Sequence, residues 1–331
     1  MKRISRRVMD LLRWVVEASV SIACWCPAWV LGRWPSVGYG RPKRIFARRG
    51  FHLLHKHFYL PIPDERDFGE GFFDRLSDMP GVDLNAATAL SLVKTVFPRY
   101  LDEFRGQVPL FPNRKGNGFH LLNGSYMAVD AHVYYALIRH GKPRRIVEVG
   151  GGNSSLLAGM ACERNREEGH PAELIVVEPY PEDVLRRGFP GMSRLVEAKV
   201  QDADFDLFAS LEAGDILFID SSHVLRMGGD VQYEYLEIFP RLKPGVLIHV
   251  HDISLPKEYP RVYFEGGMYW NEQYMLQAFL VFNSRFEVIW PGNHMMVRYP
   301  DEVCSAIPEY SEMRKHYPQS EPTGFWMRVR Q

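Results

Sequence analysis

Residues 146–155 read IVEVGGGNSS. Strand-forming residues run into three consecutive glycines and leave through a small polar helix start. In an open α/β sheet this is the turn after the first parallel strand, where a ligand lies against the backbone. Glycine is needed where a Cβ would hold the ligand away, and the helix that follows aims free N–H groups at it. The turn alone does not name the ligand.

The flanking sequence alternates strand and helix. Helices are expected at Tyr126–His140, Ser154–Arg166, Pro181–Gly188, Gly229–Leu242 and Met268–Asn283. Strands are expected at Arg145–Val149, Leu174–Glu178, Leu195–Val200, Asp215–Asp220 and Val246–Val250. Phe286–Trp290 and His294–Tyr299, around Pro291-Gly292-Asn293, read as a closing strand pair. This pattern predicts a doubly wound, Rossmann-like α/β sheet, mostly parallel, with a closing antiparallel hairpin. A long loop is expected from Asp252 to Gly267.

Upstream the signal is weaker. Residues 36–125 read as a cap or arm, with HFYLPIPD at 57–64, a helical stretch at Asn85–Val96 and a polar turn, PNRKGNG, at 112–118. Residues 1–35 are separate in character. The formal net charge is zero over 331 residues, which argues against general nucleic-acid binding. Yet residues 1–50 carry 11 Lys/Arg against 2 Asp/Glu. KRISRR precedes a largely apolar run from Leu11 to Leu31, interrupted by Arg13, Glu17 and Pro27. Such a segment can cross a bilayer or lie at the inner membrane surface with Trp14, Trp25 and Trp29 at the interface. It can also pack on the main domain or on a second copy in a homo-oligomer. Cys24, Cys26, Cys162 and Cys304 show no metal-like spacing, and a reduced, cytoplasmic protein is the expectation.

Charge placement narrows the cofactor. A dinucleotide turn needs a third glycine, where this chain has Ser155 after Gly150 and Gly152. Glu148, inside the strand, would repel a pyrophosphate but suits an ammonium, as in turns that hold the amino acid end of S-adenosylmethionine. Asn153 and Ser154 open the helix. Glu178 can accept both ribose hydroxyls, Gln201-Asp202 can meet the adenine edge, and Tyr126, with Asn123 and Asp130, can approach the methionine end. A nicotinamide-dependent oxidoreductase and a non-catalytic scaffold are the competing readings.

The segments RRIVEVGGGNSS, VVEPYP, DILFIDSSH, PRLKPGVLIHVHDI and YWNEQYMLQAFL together resemble a family of bacterial class I S-adenosylmethionine-dependent methyltransferases. Its members accompany polysaccharide and secondary-metabolite pathways. The resemblance covers about residues 120–330 and extends more faintly back to about residue 40. It implies the fold and the methyl donor, and O-methylation of a sugar, glycan intermediate or related metabolite.

The fourth and fifth strands end in Asp220-Ser221-Ser222-His223 and His249-Val250-His251-Asp252, which should line one crevice. Two uses are open. Asp220 and Asp252, with His251, could hold Mg²⁺ or another divalent metal that lowers the pKa of an acceptor hydroxyl, with His223 as base. The similar metal-dependent sugar O-methyltransferases have two carboxylates where this chain has His251-Asp252, and a histidine ligand admits softer metals. Alternatively His223 or His251 deprotonates the acceptor without metal, with Asp252 orienting the ring. His249 reads as a satisfied core histidine. Tyr259 and Tyr263, and the segment Tyr269-Trp270-Asn271-Glu272, are candidates for an acceptor platform or lid.

Overall fold

The computed structural model describes residues 6–112 and 118–330. The turn expected at 112–118 falls almost wholly outside them. The chain divides into two compact units, residues 1–69 and residues 70–331. The division falls inside the region expected to act as a cap.

In the first unit, a helix spans Arg6–Arg33, running through Pro27. Short helices follow at Pro35–Gly38 and Arg41–Arg48, where an extended arm was expected. HFYLPIPD has no regular structure. Its last residue, Asp64, caps the turn Glu65–Asp67 by accepting from the Arg66 backbone N–H at 3.1 Å.

The second unit is built on a seven-stranded sheet. Its strands are β1 Arg145–Val149, β2 Glu173–Val177, β3 Arg194–Val196, β4 Ile216–Ile219, β5 Leu247–Val250, β6 Phe286–Pro291 and β7 Phe325–Val329. The order is β3-β2-β1-β4-β5-β7-β6. β1 to β5 pair in parallel, and β7 is antiparallel to both β5 and β6. Parallel strands buried on both faces read as continuous apolar runs, which explains ILFI and LIVV. Ile146 and Phe218 pack on one face with Tyr134; Val147 and Ile219 pack on the other with Tyr235. Strand order reverses at β1 and β4, so the crevice opens at their C-terminal ends.

The end of the chain corrects the expected hairpin. Residues 294–299 are not a strand; Gly292–Arg298 is helical. The partner of β6 is FWMRV, β7, which inserts between β5 and β6. The Pro-Gly-Asn signal marked the end of β6, but a strand belongs where its side chains bury, and Trp326 and Met327 are fully buried. Smaller differences are local. The third strand stops at Val196, with Val200–Asp202 forming a separate turn. The helices expected from Tyr126 and Met268 begin at Asp130 and Glu272. Within the expected loop, Arg261–Glu265 is helical. The helix expected from Gly229 is a short α-helix, Asp230–Tyr233, continued by a π-helical turn at Glu234–Ile238.

Candidate active site

The three glycines of the turn serve different ends. Gly150 has φ +86°, and a Cβ there would stand 1.9 Å from the carbonyl oxygen of Asp220. A Cβ on Gly151 would meet Val176 at 2.5 Å and Leu185 at 2.9 Å. Both glycines are demanded by the protein's own packing. Only at Gly152 would a Cβ enter open space. Ser155, in place of a third glycine, accepts from the Gly152 N–H at 3.2 Å.

A cavity of about 470 Å³ lies against the ends of β1, β2 and β4, with Gly150, Glu178, Tyr180, Gln201 and Asp220 in its lining. Glu178 accepts from the N–H groups of Gly151 at 3.2 Å and Tyr180 at 2.7 Å, which fixes its carboxylate at the cavity wall. Other expected cofactor residues lie elsewhere. Asp202 is exposed and does not line the cavity, where its neighbour Gln201 does. Tyr126 is buried, its hydroxyl donating to the Asp130 carbonyl at 3.4 Å. Ser154 is buried in the helix Asn153–Glu167, and Asn153 donates to Ser125 Oγ at 2.8 Å. Asn123 closes its own turn, accepting from the N–H groups of Ser125 and Tyr126. Asp130 is bound by the N–H groups of Thr323 and Gly324. Glu148 is fully buried and accepts from Tyr134 Oη at 2.8 Å. Burial pushes its pKa up to about 7.

Asp220 and Asp252 follow β4 and β5, and His223 sits between them. Its Nε2 is 3.3 Å from Asp220 Oδ1 and 3.4 Å from Asp252 Oδ2. One ligand atom from each of the three lies within 4.8 Å of the others. His223 (φ +58°) and Asp252 (φ +54°) both take the left-handed conformation, strain that the surrounding contacts must hold. The clamp is the segment at 271–272. The backbone N–H groups of Asn271 and Glu272 donate to the His223 carbonyl. Glu272 Oε2 lies 2.9 Å from His223 Nδ1, and Glu272 Oε1 accepts from Tyr235 Oη at 3.2 Å. Burial opposes charge on His223, but Asp220 and Glu272, with Asp252, lift its pKa well above the usual range. The ring is therefore a counter-charge to these carboxylates at neutral pH, and its Nε2 is freed to bind a ligand only when another cation takes that place.

His251 stands just outside the three, its Nε2 3.9 Å from Asp252 Oδ1. Of the two histidines expected to converge with the aspartates, His223 lies between both and His251 lies beside Asp252. His249 is a core residue, fully buried, stacked on Phe218 and tilted against Trp326, but neither ring nitrogen has a partner among the described residues. Burial drives its pKa well below the usual range. Glu272 was legible only as part of an aromatic lid. Its role depends on a contact 49 residues away in sequence.

A family described as a methyltransferase domain matches residues 147–253, the segment from β1 through Asp252. An uncharacterised protein of Archaeoglobus fulgidus is 35% identical over 164 residues, covering 47% of this chain and 72% of its own length. The chain carries a methyltransferase domain of the class I, S-adenosylmethionine-dependent type. Solved structures similar to this methyltransferase include CalS11, a TDP-rhamnose 3'-O-methyltransferase of calicheamicin biosynthesis. It is 12% identical, with 80% of this chain and 99% of that one covered, at a TM-score of 0.36. An O-methyltransferase from Bacillus cereus in complex with SAH is 12% identical, with 75% and 100% covered, at 0.32.

Across Asp252 the methyltransferase has a second cavity of about 250 Å³, with Ser125, Asp130, Asp252, Ser254, Tyr263 and Thr323 in its lining. Among the described residues, neither Lys nor Arg lines it. Of the expected acceptor residues, Tyr263 lines it, and Trp270 packs on His223 and Tyr263 with ring centroids 4.5 and 4.7 Å apart. Tyr259 and Asn271 instead bind the protein itself, accepting from the backbone N–H groups of Gln273 and Leu225.

Proposed function

We propose that this methyltransferase methylates a hydroxyl of a sugar, glycan intermediate or related metabolite. One relationship carries the reading. Asp220 lines the cavity beside the glycine turn, Asp252 lines the second cavity, and His223 bridges them at 3.3 and 3.4 Å. Chemistry that joins a donor in one cavity to an acceptor in the other would take place at these side chains.

S-adenosylmethionine supplies a methyl group made electrophilic by its sulfonium. The cavity volume and the wall carboxylate of Glu178 fit its nucleoside, and Gly152 leaves room beside the helix start. The protein's part is to align the acceptor oxygen and to assist loss of its proton. Asp220 and Asp252 offer hard, anionic oxygens and His223 a borderline nitrogen, a donor set that fits a divalent cation, which would lower the acceptor hydroxyl's pKa. Glu272 then acts from behind, holding the Nδ1–H of His223 so that Nε2 faces the aspartates, as carboxylates behind metal-binding histidines do. A second cavity rich in hydroxyl and carboxylate groups, without Lys or Arg among its described lining residues, favours a neutral polyhydroxyl acceptor over a phosphorylated one.

Thermal shift tests the donor. S-adenosylhomocysteine should stabilise the protein and NAD(H) should not; the reverse would make it an oxidoreductase. Transfer of labelled methyl to neutral glycosides should vanish in Asp220→Ala and His223→Ala, and activity surviving both changes would overturn the site.

A further inference from the structure

The helix Arg6–Arg33 has a surface that water does not suit. From Met9 to Arg33 no side chain is buried. Trp14, Val16, Val20, Ile22, Trp25 and Trp29 are each more than half exposed. They spread over about two-thirds of the circumference, with small residues such as Ser21, Cys24 and Ala28 on most of the remainder, which is wider than the single apolar stripe of a helix resting on a core. Residues 14–32 contain one charged residue, Glu17, one turn from the start. At 1.5 Å per residue they extend roughly 28 Å, close to the ~30 Å hydrocarbon thickness of a bilayer. Arg13 and Arg33 bracket the stretch, and Trp14 and Trp34 sit at its two ends, where indoles favour the headgroup boundary. The hydroxyl of Ser19 donates to the Val15 carbonyl at 2.8 Å, so its polarity is met inside the helix. Pro27 does not break the helix. Just beyond the span, residues 41–49 hold five Lys/Arg and no acid. They form the exposed helix Arg41–Arg48 and its cap, from which Ile45 and Phe46 also project.

We propose that residues 14–32 cross a lipid bilayer and that the Arg41–Arg48 helix lies among anionic headgroups on the exit side. The occupant is lipid, not a second copy. The apolar surface runs over most of the helix's circumference, as a surrounding solvent requires and a single partner face does not. The basic residues after it complement a negative membrane surface. The single interior charge, Glu17, is near enough to the end to reach the interface.

The test uses the full chain in membranes of the expressing cell and in reconstituted vesicles. The wild type should stay in the pellet through alkaline carbonate extraction, and the mature protein should retain the segment. The double variant Ile22→Arg, Trp25→Arg should move to the supernatant, with S-adenosylhomocysteine still raising its melting temperature as in the wild type. That unchanged shift shows that the catalytic unit is folded, and it separates this inference from the methyltransferase reading. Replacing the five Lys/Arg of 41–49 by Gln should keep carbonate resistance but abolish any preference for phosphatidylglycerol-containing over phosphatidylcholine vesicles. Release of the wild type by carbonate, removal of the segment by processing, or a detergent-free soluble oligomer that the double variant dissociates would each overturn the proposal.

Discussion

Glu272 and His223 form a buried pair, Oε2 to Nδ1 at 2.9 Å, and the same residue's backbone N–H holds the His223 carbonyl at 3.1 Å. One residue thus fixes both the left-handed turn of His223 and the direction of its ring. Replacing Glu272 by Leu should lower kcat by about 10- to 100-fold, the usual cost of losing a partner behind a functional histidine. S-adenosylhomocysteine affinity should hold, because Glu272 does not line the donor cavity. Glu272→Asp should recover part of the loss. Equal losses in kcat and in donor affinity would mean general damage rather than a positioning role.

The glycine turn separates packing from ligand access. Gly150→Ala should destabilise the fold by on the order of 3 kcal/mol or more, because its Cβ would overlap the Asp220 carbonyl in a positive-φ conformation. Gly152→Ala, with open space at its Cβ, should leave the melting temperature of the ligand-free protein within a degree or two while weakening S-adenosylhomocysteine binding. Calorimetry on both variants, with and without ligand, checks the pair.

Glu148 makes ligand-free stability depend on pH. Its folded pKa of about 7 stands above the ordinary 4.5, because the charged form is fully buried. The folded state therefore holds the proton more tightly. Stability is full below about pH 4.5, falls as pH rises toward 7, and is level above that. The change amounts to about 3 kcal/mol at 1.36 kcal/mol per pKa unit. Glu148→Gln should remove this slope, so its advantage over wild type should grow between pH 5 and pH 8 in denaturant titrations. An advantage that is the same at both pH values would show that Glu148 is not the titrating group.

Chelation reports on the three-residue cluster. Treatment with EDTA should lower methyl transfer by tenfold or more, and Mg²⁺ or Mn²⁺ should restore it, since the ring of His223 is otherwise tied up as a cation between carboxylates. Full activity after exhaustive chelation would leave proton removal to the side chains alone.

The second cavity can be closed without touching the first. Val262 lines it from the helix Arg261–Glu265 and is half exposed. Val262→Trp should lower kcat/KM for a neutral glycoside by tenfold or more and leave donor affinity unchanged. Unaltered transfer would move the acceptor elsewhere.

Much of this protein follows from sequence alone, for reasons local to the chain. IVEVGGGNSS determined a strand, a turn and a helix because glycine conformation and helix N-terminal chemistry act over a few residues. The apolar runs LIVV and ILFI determined buried parallel strands. Asp220, His223 and Asp252 were legible because strand ends in such a sheet share one crevice. Tertiary structure decided the rest. It placed FWMRV between β5 and β6, which no local signal reports, because the gain lies in burying Trp326 and Met327 against distant strands. It chose His223 over His251 as the neighbour of both aspartates, since a left-handed turn swings one ring inward while the other stays with its strand. It moved Glu272 from an aromatic lid to the back of that ring. Such contacts depend on where two distant segments meet in space, and spacing along the chain does not carry that information.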